Sequence, residues 1–165
     1  MRIAIVLLSL VFVAIPLTSR AGAPEVFEHL KSLADRWDAD LPGVGKLTST
    51  VRLVSNGKAI EETIGTPEDN ELSVYTASDD RIVMMHYCAM TPDGHQVRLQ
   101  ATVSETVADQ LDFRFSEATN LHSEAAPHMR RVLMTISDRN HYSEQWTKTE
   151  NGKETVFNLN FVRRR

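Results

Sequence analysis

The chain has 165 residues, 42% of them hydrophobic and 24% charged, with a formal net charge of −4. That balance describes a globular chain that can bury a core; it excludes intrinsic disorder and argues against a nucleic-acid partner, which would need a basic face. The single cysteine, Cys88, leaves no internal disulfide, so packing must hold the fold together.

Met1-Arg2 supplies a positive charge, and Ile3 to Leu17 is an almost unbroken apolar run. At about fifteen residues it falls short of the roughly 20 a membrane-spanning helix needs. The pattern predicts a signal peptide over residues 1–21, cut after Ala21 (Ser-Arg-Ala) or alternatively after Ala23 (Ala-Gly-Ala). It implies a secreted or bacterial periplasmic protein with no membrane attachment after cleavage, and one domain over residues 24–165.

From Pro24 to Trp37, Val26, Phe27, Leu30, Leu33 and Ala34 recur at helical spacing between charged residues, which predicts one amphipathic helix. Leu41 to Gly45 is a loop. Strand-like segments follow at Leu47–Ser55, Lys58–Ile64, Glu71–Ala77, Arg81–Met90, His95–Ser104, Gln110–Ser116, Met129–Ser137, His141–Thr149 and Lys153–Val162. Asn56-Gly57 and Asn151-Gly152 are hairpin turns, and the near-even spacing predicts an up-and-down meander. About nine or ten strands with no later helix to cover an open face favour a closed antiparallel β-barrel, plugged at one end by the N-terminal helix.

Arg81 to Met90 carries most of the chemistry. With a two-residue period, Ile82, Met84, His86, Cys88 and Met90 share one face, so an imidazole and a thiol project from an apolar row. They read as hydrogen-bonded core, as a polar patch in a ligand cavity, or as part of a metal or haem site completed by a histidine such as His128. An enzyme with Cys88 as nucleophile is a further alternative. No nucleophile elbow and no phosphate-cradling glycine loop supports a specific reaction.

Glu117 to His128 is the longest connection, carries Asn120 and His122, and is long enough to form a lid over a barrel mouth. Arg98 offers a fixed cation if its row, with Gln96, Gln100 and Thr102, faces inward. If it faces outward, the inner row is Val97, Leu99, Ala101 and Val103. Trp146 is an aromatic wall for a barrel, by packing or by ligand contact.

The segments Leu30 to Trp37, His86-Tyr-Cys-Ala-Met90, Ala118-Thr-Asn-Leu121, His128-Met129 and Gln145-Trp146 together resemble a family of secreted bacterial lipocalin-like domains of the calycin group. More distantly they are similar to the haem-binding nitrobindin-like barrels. The chain departs from that pattern at Asp35, Ala39, Arg130 and Gln145. The resemblance implies a barrel with a cavity and supplies no activity or cofactor. The expected function is binding of a small apolar or amphipathic molecule, with His86, Cys88, Arg98, Asn120, His128 and Trp146 as candidate ligand-binding residues.

Overall fold

A computed structural model describes residues 22–66, 69–88, 95–103 and 109–165, apart from the side chains of Cys88 and His95. Residues 1–21, where a signal peptide is expected, lie outside the described residues. Helix α1 (Ala23–Leu30) and a single tight turn (Lys31–Leu33) lead into ten strands: β1 (Asp35–Leu41), β2 (Gly45–Val54), β3 (Ala59–Gly65), β4 (Asn70–Ser78), β5 (Arg81–Cys88), β6 (His95–Thr102), β7 (Gln110–Thr119), β8 (His128–Asp138), β9 (His141–Glu150) and β10 (Lys153–Arg163). Each strand pairs antiparallel with its neighbours in sequence, and β10 returns to β1, so the sheet closes into an up-and-down barrel.

The helix is shorter than its apolar spacing suggested. Ala34 leaves the helical region at φ −57°, ψ 100°, and Trp37 lies on β1 instead. The reason is alternation: Trp37 and Ala39 turn inward while Arg36, Asp38 and Asp40 turn to solvent, a period-two pattern that a helix would scatter over its surface. Phe27, Leu30 and Leu33 cap one end of the barrel, as the amphipathic spacing required.

Arg163 locks that end. Its guanidinium sits 4.1 Å from the centroid of Trp37, pairs with Asp35 at 2.6 Å and donates to the carbonyls of Arg139 and Ser32. Trp37 itself donates its indole N–H to Leu33 O at 2.8 Å. The hydrogen bonds from Arg36 N–H and Arg163 hold the Asp35 carboxyl below its usual range. Arg163 is thus structural, although it stands at the very end of the last strand.

Asn56-Gly57 lies inside a longer connection, Ser55 to Lys58, between β2 and β3, whereas Asn151-Gly152 forms the tight turn its sequence requires. Asn151 (φ 51°) and Gly152 (φ 73°) both occupy the left-handed region between β9 and β10, the geometry that matches the twist of paired strands.

The inward rows are largely apolar and the outward rows are dotted with charges. Arg131 makes a two-bond contact with Asp112 at 2.6 and 3.0 Å, and Arg98 pairs with Glu117 at 2.8 Å, both on the outer face. The closed half of the barrel is filled solid by Trp37, Met84, Leu99, Phe113, Tyr142 and Phe161, with Tyr142 stacked on Phe161 at 4.5 Å. Among the described residues no helix is long and apolar enough to cross a membrane.

Candidate functional site

Two polar features interrupt the apolar interior. The deeper one is a carboxyl pair. Glu62 on β3 and Glu144 on β9 each fall in the inward register of their strands and are about 1% exposed. Glu62 accepts three hydroxyl hydrogen bonds, from Ser49 at 2.7 Å, Tyr75 at 2.6 Å and Tyr142 at 2.8 Å. Three converging donors satisfy the acceptor oxygens of a carboxyl group from which water is excluded.

Glu144 has a different shell: Oε2 accepts the Trp146 indole N–H at 2.7 Å, while Oε1 has no hydrogen-bond partner among the described residues. Burial first, and then the charge of Glu62, push the Glu144 carboxyl well above its ordinary range. Glu144 therefore keeps its proton to higher pH than an ordinary glutamate does. The same burial and the same charge push Tyr75 and Tyr142 well above 10.0, so both act as hydroxyl donors at neutral pH.

Above this layer, toward the end opposite α1, the barrel is hollow. A cavity of about 460 Å³ opens there, with Leu47, Ile64, Met129, Phe157 and Leu159 among its apolar walls and Ser73, His86 and Glu71 on its polar side. Trp146 forms part of the lining and leans on His86, with ring centroids 4.7 Å apart. Gly65 also borders the cavity. With φ 147° and Asp69 O only 2.2 Å from where a Cβ would stand, it is the one residue type that fits there.

His86 is placed by register. It faces Ser73 across the β4–β5 ladder, and its Nδ1 lies 3.0 Å from Ser73 Oγ. Its Nε2 is 3.3 Å from Glu71 Oε2, near enough for charge attraction but not aligned for a hydrogen bond, so this buried nitrogen lacks a hydrogen-bond partner among the described residues. A hydrogen-bonding atom of a bound molecule is what such a group calls for.

Of the residues singled out in the sequence, His86 and Trp146 meet at this cavity. Cys88 follows two places along the same strand, and its side chain lies outside the described residues. Arg98 is on the outer face with Glu117, away from the cavity, because Val97, Leu99 and Ala101 take the inward row. Asn120 is exposed and ends β7 in the left-handed conformation at φ 57°, which is a turn role.

His128 is buried but does not line the cavity; Nδ1 lies 2.9 Å from Ala126 O and its ring packs on Phe115 at 5.1 Å. A register shift between Met129 and Arg131 gives the inward position to Met129. The 120–127 connection does not act as a lid: Ala125 O accepts from Asn151 N, which docks it on the β9–β10 turn, and none of its residues lines the cavity. Among the described residues no three His, Cys, Asp or Glu side chains converge as metal ligands would.

Glu62 and Glu144 were not singled out in the sequence. The signal was available: Ile60-Glu62-Ile64 and Tyr142-Glu144-Trp146 are inward rows with a carboxylate at the centre. No protein-family model and no curated protein matches the chain.

Proposed function

We propose that this chain is a lipocalin-like barrel, working in the periplasm or outside the cell, that binds a small, mostly apolar molecule in the open-end cavity. The observation that carries the proposal is the cavity itself: about 460 Å³ enclosed on several sides by apolar walls, with one buried imidazole nitrogen left to orient a polar group. A barrel filled from end to end would have no such use. Here the aliphatic walls supply the affinity, and His86, held by Ser73 and Trp146, fixes the orientation. Met129 adds a wall that adapts to an irregular ligand. The apolar N-terminal run of residues 3–17 supports export, and the charged outer face suits a barrel surrounded by water.

Native mass spectrometry of the protein purified from its own host tests this. The wild type is expected to carry a non-covalent small molecule that is lost when the cavity is filled by Leu159→Trp, or by Met129→Trp from another wall. A wild type that shows only its own bare-chain mass, or a bound molecule that both variants retain, would overturn the proposal.

A further inference from the structure

We infer that the seam between β1 and β10 extends the open mouth of the barrel sideways into a lateral portal through which a ligand reaches and leaves the cavity; this rests on that cavity being a binding site. Every other neighbouring pair of strands is in register over five to ten positions. β1 and β10 share only two, Trp37 with Arg163 and Asp38 with Val162. Continuing that register would oppose Ala39 to Phe161, Asp40 to Asn160 and Leu41 to Leu159, and none of these pairs is made.

Instead β1 follows β2 as far as Leu41 opposite Gly45, and β10 follows β9 as far as Lys153 opposite Glu150. From Asp38 toward the open end the two strands, still neighbours in the closed barrel, share no ladder pair, and this unlaced stretch is the wedge. Its apex is pinned: Arg164 pairs with Asp38, donates to Thr48 Oγ1 at 3.1 Å, and its backbone N–H reaches Arg36 O at 2.8 Å.

On the outer side the wedge forms a groove of about 600 Å³ lined by Asp38, Ala39, Asp40, Lys46, Leu47 and Asn160 among others. On the inner side Leu41, Val44, Phe157 and Leu159 face the cavity. Leu47 borders both spaces.

Passage between any other two strands would break several ladder hydrogen bonds, each left unmade in a barrel wall at a cost of about 1–3 kcal/mol. Across the wedge there are none to break beyond Asp38. Ala39 is too small to block it, and the longer aliphatic side chains at its margin need only change rotamer, a motion far faster than strand separation.

A cross-link across the wedge tests the portal. In a Cys88→Ser background, Asp40→Cys and Asn160→Cys place two thiols on exposed positions of β1 and β10, to be joined by a short bismaleimide. A control pair, Gln145→Cys with Asn158→Cys, spans the fully laddered β9–β10 boundary. The probe is N-phenylnaphthylamine, an uncharged dye that brightens in apolar surroundings, followed by stopped flow. The wedge cross-link is expected to slow association and dissociation together, each on the order of tenfold, with affinity unchanged, while the control keeps both rates. Unchanged rates in the wedge cross-linked protein would overturn the portal. Absence of saturable dye binding by the unmodified protein would instead refute the cavity as a binding site.

Discussion

Replacing Glu62 by alanine is expected to cost about 3–6 kcal/mol of folding stability, a large share of the roughly 5–15 kcal/mol that holds a domain of this size. The substitution removes the common acceptor of Ser49, Tyr75 and Tyr142, all of them buried. Ser49 and Tyr142 still meet each other at 2.8 Å, but Tyr75 loses its acceptor, and each stranded hydroxyl carries its own desolvation cost. Glu62→Gln is expected to cost much less, since its amide oxygen still accepts two of the three donors while the buried charge disappears. Chemical denaturation near pH 6 measures both. A Glu62→Ala loss below about 1 kcal/mol, or an equal loss for glutamine, would mean that the network is incidental to the fold.

The second large effect is a pH dependence of stability opposite in sign to that of an ion-paired carboxylate. Burial, and then the charge of Glu62, raise the Glu144 carboxyl above the ordinary glutamate value of 4.5. Between that value and its native titration the folded chain binds more protons than the unfolded one, so stability falls as pH rises through this window. The groups acting on Glu144 are Glu62 on β3 and the Trp146 indole on its own strand, with Tyr142 and Tyr75 completing the layer; no lysine or arginine is among them to reverse the sign. Tyr75 and Tyr142, both raised above 10.0, add a further loss in alkali. Glu144→Gln is expected to flatten the profile and to exceed the wild type at pH 8 by roughly 1–4 kcal/mol, because an amide keeps the Trp146 contact without the ionisation. A wild-type profile that rises from pH 5 to pH 8, or an unchanged slope in the variant, would contradict this.

The barrel was legible because turns and alternation are local signals. Asn151-Gly152 and the inward row Ile82-Met84-His86 are visible within a few residues, and both stand in the structure as read. β1 was missed because Asp35 and Arg36 look like the polar face of a helix ending at Trp37, which leaves Asp38 to Asp40 in no element. The alternation of Trp37 and Ala39 against Arg36, Asp38 and Asp40 carried the other reading.

The candidate site was legible only where it depends on one strand. His86 is placed by its own alternation. His128 depends on a register shift in β8, and Arg98 on which row of β6 faces inward, neither of which a single segment fixes. The cavity depends on the sum of side-chain volumes across ten strands, and the β1–β10 wedge on where two strands distant in sequence part company.

The central claim is that the open end of the barrel is a binding cavity. Equilibrium titration with N-phenylnaphthylamine tests it most directly. The wild type is expected to saturate at one dye per chain in the micromolar range, and Leu159→Trp, which fills the cavity from β10, to bind at least tenfold more weakly. Emission that rises without saturation, or equal affinity in the filled variant, would contradict it.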